Sequence, residues 1–131
     1  MAHEFRSHAI LSASGAHRWM NCTPSARLEL EFSDTSSEAA KEGTLAHEVC
    51  EAKVLNYFYP GKLTKRQLTS KLKKFKEHEL WQSEMDGHTN TYLDYIKAEA
   101  LKFEASPSIN IEVRLDLTDY IPEGYGTADC V

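Results

Sequence analysis

The clearest periodicity in the chain lies near its far end, where Ile109, Ile111, Val113, Leu115 and Leu117 are interleaved with Asn110, Glu112, Arg114 and Asp116. A period of two predicts a strand with one apolar face. Tyr120 to Gly126, containing Pro122-Glu123-Gly124, predicts a turn, and Thr127 to Val131 predicts a second strand. Upstream the period is helical. Ser12 or Ser14 is expected to cap a short helix through Ala16, Trp19 and Met20, and Pro24 suits the first turn of a second helix carrying Ala26, Leu28, Leu30 and Phe32. Ser36 or Ser37 opens a long helix to about Tyr59, where Pro60-Gly61 stops it; its apolar stripe is Leu45, Val49, Ala52 and Leu55 or Asn56.

Thr64 then opens a basic segment in which Leu68, Leu72 and Phe75 recur at i, i+4 and i+7. The last helical stretch runs from about Leu80 to Ala105. Trp81, Met85, His88, Tyr92, Tyr95, Ile96, Ala100 and Phe103 recur along it, an aromatic stripe expected to be core. Helices come first and strands last. The expectation is an α+β fold, mostly helical over 12–105, with a C-terminal two-stranded hairpin over 109–131, all in one domain of 131 residues.

Composition narrows the functional classes. With 41% hydrophobic and 27% charged residues the chain suits one globular core rather than a disordered segment. A net charge of -5 speaks against nucleic-acid binding through a broad basic surface, so direct binding is expected to be weak or absent. The exception is the run from Lys65 to Lys76, which is either a solvated amphipathic face or a contact to phosphate or an acidic partner. No stretch has the length of a signal peptide's apolar core or of a membrane span, so a cytoplasmic location is expected. The three cysteines, Cys22, Cys50 and Cys130, are odd in number and far apart, which predicts free thiols and excludes a four-thiolate zinc site.

The chemistry-bearing stretch is Glu42-Gly43-Thr44-Leu45-Ala46-His47-Glu48-Val49-Cys50-Glu51. On a helix, His47, Cys50 and Glu51 fall at i, i+3 and i+4, so an imidazole, a thiol and a carboxylate share one face as half of a metal site. Its complement is expected from the end of the chain, where Asp129 follows the glycine-rich approach Gly124-Tyr125-Gly126-Thr127-Ala128. Ser12, Ser14 and His17 suggest a nucleophile and a base, but no orienting acid accompanies them and capping explains the serines better.

Taken in order, Leu11-Ser12-Ala13-Ser14 through Arg18-Trp19-Met20-Asn21-Cys22, Gly43-Thr44-Leu45-Ala46-His47, Glu112-Val113-Arg114-Leu115 and Gly126-Thr127-Ala128-Asp129 resemble the RecB-like branch of the PD-(D/E)XK nucleases, and most of all a phage and prophage family of that branch. The resemblance spans nearly the whole chain. It implies that His47 of the Gly-x-x-x-His helix and Asp129 of the Gly-x-x-Asp strand are metal ligands; Glu51 or Cys50, on the same helix face as His47, is the candidate third donor. One divalent ion is expected there, with zinc favoured over manganese or magnesium because the donor set mixes nitrogen with oxygen or sulfur. In some relatives an early cysteine joins three later ones around an iron-sulfur cluster; only Cys22 stands in such a position, so no cluster is expected.

The branch's third motif, an acid-x-lysine on the next strand, would lie beyond Val131, so the hairpin is expected to be a truncated remnant of the nuclease sheet. On that reading the protein is non-catalytic and works by binding a protein partner, for which a host CRISPR effector nuclease is one candidate, making it an anti-CRISPR inhibitor. The acidic residues Glu29, Glu31 and Asp34 are the expected partner-binding surface, and the edge of the terminal strand offers a route to a homodimer. The enzymatic alternative is a metal-dependent DNA exonuclease of the RecB-like type completed by a partner or a dimer. A structural fragment of a larger recombination protein is a third possibility.

Overall fold

The computed structural model describes residues 8–33 and 35–131, in an α+β arrangement of five α-helices followed by a two-stranded antiparallel hairpin. The chain divides into two compact units. One comprises Ser36–Ile111 with Val131; the other takes in the chain up to Thr35 together with Glu112–Cys130. Among the described residues no helix is long and apolar enough to cross a membrane.

The first unit is built on α3 (Glu38–Phe58). Its start follows the expected rule: Ser37 is the N-cap, and its hydroxyl accepts from the Ala40 backbone N–H at 3.2 Å. Leu45, Val49, Ala52 and Val54 are buried, and Val49 is wholly so. The apolar stripe lies against α4 (Lys65–Lys76) and α5 (Met85–Ala100). Leu45, Val49 and Met85 form the centre, with Leu72, Phe75, Leu80 and Trp81 packed around them. Full burial of a side chain of this size stabilises by about 1.5–3 kcal/mol, so this small cluster anchors the unit.

Thr64 caps α4 with a reciprocal box: its hydroxyl accepts from the Gln67 N–H, and the Gln67 side chain accepts from the Thr64 N–H at 2.9 Å. Leu68, Leu72 and Phe75 are half-buried, whereas Lys65, Arg66, Lys71, Lys73, Lys74 and Lys76 are all exposed. The segment before α5 departs from expectation. Residues 78–84 form turns, in which the His78 Nδ1 accepts from the Leu80 N–H and the His78 carbonyl accepts from the Trp81 N–H. The helix therefore starts at Met85 and ends at Ala100, not over 80–105. Its aromatic stripe is also divided: Met85 and Ile96 are buried and Tyr92 is half-buried, but His88, Tyr95 and Phe103 are exposed. Helical spacing alone did not reveal how narrow the covered face is.

Tyr59, which ends α3, holds Ile109 of the same unit. Its hydroxyl donates to the Ile109 carbonyl at 2.7 Å and accepts from the Ile109 N–H at 3.1 Å, satisfying both backbone groups of one residue. Next to it, Asn110 and Val131 exchange both backbone hydrogen bonds at the base of the hairpin.

In the second unit, α1 (Ala16–Asn21) has Gly15 at its N-cap, with no side-chain cap. The expected serine cap is displaced by a turn: the Ser12 hydroxyl accepts from the Gly15 N–H at 3.0 Å, and the Ser12 carbonyl accepts from the Trp19 indole N–H at 2.9 Å. α2 is only Ser25–Leu28, followed by a single 3-10 turn over Glu29–Glu31. Ala26 is buried there, while Leu28, Leu30 and Phe32 are largely exposed. Those apolar positions were too loosely periodic to make one buried face.

The hairpin pairs β1 (Ile111–Asp116) with β2 (Tyr125–Cys130), the second strand starting two residues earlier than the alternation predicted. At the turn, Gly124 is required sterically: a Cβ there would lie 2.7 Å from the Ile121 Cβ and 2.8 Å from its carbonyl oxygen. Two residues take a left-handed backbone without being glycine, Glu112 (φ 53) in β1 and Glu123 (φ 56) in the turn. The second suits a turn; the first is unusual for a strand.

Candidate metal centre

Counting inward from the Asn110–Val131 pair, Glu112 and Asp129 each lie two residues along their strand. Both side chains are exposed, and their carboxylate oxygens come within 4.8 Å of each other. Two oxygens bound to one ion at about 2.0–2.6 Å can be no farther apart than about 4–5 Å, so the pair fits a shared divalent cation. Without a cation, two such charges in water repel by about 1 kcal/mol. The left-handed backbone of Glu112 adds a conformational cost at the same residue. Backbone strain and a neighbouring carboxylate thus fall on the same residue, Glu112.

The cysteine following Asp129 falls on the opposite face of β2 by strand alternation. Partial burial first, and then the negative charge of Asp129, push the Cys130 thiol above its ordinary range, which keeps it protonated. Cys22 is exposed and Cys50 is half-buried, and all three thiols are free.

His47 is exposed on α3, flanked by the buried Leu45 and Val49, so the turn that buries those two holds the imidazole at a fixed place along the helix. Cys50 and Glu51, one turn on, are half-buried. Gly43 lies one turn before His47, and a Cβ there would meet nothing within 4 Å. The glycine thus costs helix propensity without a packing reason, and leaves the helix surface beside His47 bare. His47, Cys50 and Glu51 belong to the unit built on α3, Glu112 and Asp129 to the unit that contains most of the hairpin.

Glu112 entered the sequence reading only as the first residue of a motif, not as a ligand. The signal that could have singled it out was its equal distance, with Asp129, from the foot of a hairpin: cross-strand pairs share a face.

The acidic stretch is partly engaged within its own unit. The Glu29 carboxylate pairs with the Arg18 guanidinium at 2.9 Å, and Glu31 is exposed. Asp34 lies outside the described residues.

The second polar constellation, absent from the sequence reading, surrounds Lys53. Its ammonium is buried and donates to the Asp86 carboxylate at 2.8 Å, the Asp86 carbonyl at 3.1 Å, the Thr89 hydroxyl at 2.8 Å and the Asn90 carbonyl oxygen at 2.6 Å. Asp86, Thr89 and Asn90 stand at i, i+3 and i+4 on α5, so they present one polar face to a lysine set among apolar residues of α3. With every donor taken, Lys53 is a structural cation joining two helices.

The chain matches, over residues 8–131, the family described as "Protein of unknown function (DUF2800)". No solved structure matches it.

Proposed function

Since the chain belongs to this DUF2800 family, we propose for it a reading that starts from its own carboxylates: a divalent-metal-dependent phosphodiester hydrolase acting on DNA, with Glu112 and Asp129 as the heart of its metal site. The observation that carries this reading is the exposed carboxylate pair, within 4.8 Å, at a strained strand position. His47 is the proposed third donor, on the strength of the Gly43-x-x-x-His47 motif and the RecB-like resemblance. Two carboxylates make the donor set mainly oxygen, which moves the preferred ion from zinc towards manganese or magnesium.

A bound ion of this kind would act as a Lewis acid and supply an acidified water. The chain's own part is to hold it. Glu112 and Asp129 provide negative charge that the ion relieves. His47 would supply a nitrogen donor from the helix.

The protein-binding alternative draws on the acidic stretch, where Glu29 is already paired with Arg18. The deciding experiment incubates the purified protein with linear double-stranded and single-stranded DNA, with magnesium or manganese, alongside Glu112→Gln and Asp129→Asn. Metal-dependent cleavage lost in both variants is the expected result. Metal binding without cleavage on any substrate would transfer the reading to an inhibitory binding protein.

A further inference from the structure

Resting on the metal-centre reading above, we infer that Arg114 is a substrate-binding residue that takes a phosphate oxygen of the nucleic acid next to the carboxylate pair, and that Tyr125 holds it ready. Successive side chains of a strand alternate between faces, so Arg114 shares the exposed face of β1 with Glu112 and Asp116. The contact across the hairpin is direct: the Arg114 guanidinium carbon lies 4.1 Å from the centre of the Tyr125 ring. Two residues of strand separate Arg114 from Glu112, about 7 Å. That is within an arginine's reach of a phosphate seated at the carboxylates, or of its neighbour along the strand.

The guanidinium is poised rather than consumed. Carboxylates flank it two residues away on either side, yet among the described residues it forms no ion pair, only the stack on Tyr125. Asp116 turns instead to its own turn, where it accepts from the Thr118 N–H at 2.9 Å. The hydrogen bonds from Thr118 hold the Asp116 carboxyl below its ordinary range, so it stays ionised and committed there. The contact with the ring restrains an exposed guanidinium, whose fork of N–H groups suits bidentate contact with phosphate. Beside it a cavity of about 510 Å³, lined by Arg114, Asp116, Thr118 and Tyr125 among others, leaves room for a sugar-phosphate unit. The flanking Glu112 and Asp116 would repel a free anion, so the site favours phosphate delivered with a cation on Glu112 and Asp129.

The test is fluorescence anisotropy of a labelled double-stranded DNA oligonucleotide on the full chain, with calcium as the added ion, over a series of salt concentrations. Arg114→Ala is expected to weaken binding about tenfold and to make the slope of log affinity against log salt shallower by about 1. Arg114→Lys, which keeps the charge but not the plane, should fall between. Tyr125→Leu should weaken binding with Arg114 still present, and Tyr125→Phe should not. Manganese affinity, titrated separately, should be unchanged in Arg114→Ala and lost in Asp129→Asn. If Arg114→Ala matches the wild type in affinity and slope, or if the wild type binds no DNA, the inference is overturned. A wild type that takes no manganese but loses DNA affinity with Arg114 sinks the metal-centre reading and still supports the Arg114 contact.

Discussion

Lys53 and Asp86 form a charge pair in which only the cation is taken out of water: the lysine side chain is 5% exposed and the aspartate 41%, with 2.8 Å between Nζ and Oδ1. The asymmetry decides what each substitution does. Asp86→Ala leaves a buried ammonium with three neutral acceptors and is expected to cost about 1–2 kcal/mol, the range for a charged hydrogen bond at a partly wet site. Lys53→Met should cost less, because Asp86 and Asn90 can turn to water and the Thr89 hydroxyl still donates to the Met85 carbonyl. Urea denaturation of both variants checks the order.

The same pair sets an acid limit. The hydrogen bond from Lys53 is the main reason that the Asp86 carboxyl lies below its ordinary value of 3.8, and burial opposes it. A depressed carboxyl stabilises the fold fully above its unfolded value, and that contribution disappears as the pH falls through the lower folded value. Melting temperatures of the wild type should therefore drop steeply below about pH 3.8, with Asp86→Asn losing part of that drop.

Divalent cations should stabilise the protein through Glu112 and Asp129. At a hundredfold excess over its dissociation constant, an ion bound only by the folded state adds about 2.7 kcal/mol. Thermal melts with manganese are expected to move up in the wild type and to stay put in Asp129→Asn and Glu112→Gln. Chelation should cancel the wild-type gain.

Gly43→Ala is expected to stabilise α3 by about 0.5–1 kcal/mol, since the added methyl meets nothing and alanine is the better helix former. If the bare surface beside His47 serves the approach of substrate, the same variant loses DNA cleavage while it gains melting temperature. Unchanged cleavage beside a raised melting temperature would show that the glycine has no part in the site.

Tyr59→Phe removes two hydrogen bonds to Ile109 with one atom. Leaving a half-buried N–H and C=O without that partner should cost about 1–3 kcal/mol. Hydrogen exchange at the Ile109 amide is the specific readout, and it should speed up more than exchange inside α4.

Much of this architecture was legible where a local rule had no competitor. Ser37 and Thr64 cap helices as their sequence context predicts, and the alternation from Ile109 to Leu117 marks β1. Legibility failed where the answer depended on what lies across the chain. Nothing near Tyr95 or Phe103 distinguishes an exposed aromatic from a buried one, because burial is decided by α3 and not by the spacing within α5. Nothing adjacent to Lys53 in the sequence marks it for burial, and only the polar face of Asp86, Thr89 and Asn90, 33 or more residues later, explains it. Glu112 was hidden in the same way, since its neighbour Asp129 is brought beside it by the hairpin.

The left-handed backbone of Glu112 sets stability and chemistry in opposition at one position. Glycine or asparagine would occupy that conformation at lower cost, by about 1 kcal/mol or more, yet neither carries a carboxylate. A laboratory selection for thermal tolerance alone would therefore be drawn to replace Glu112, and on the metal-dependent reading proposed above its winners would be sturdier proteins that no longer hold the ion. On that same reading, retention of the acid under such a selection would require metal or substrate to be present throughout, because binding at Glu112 is what would offset the distortion.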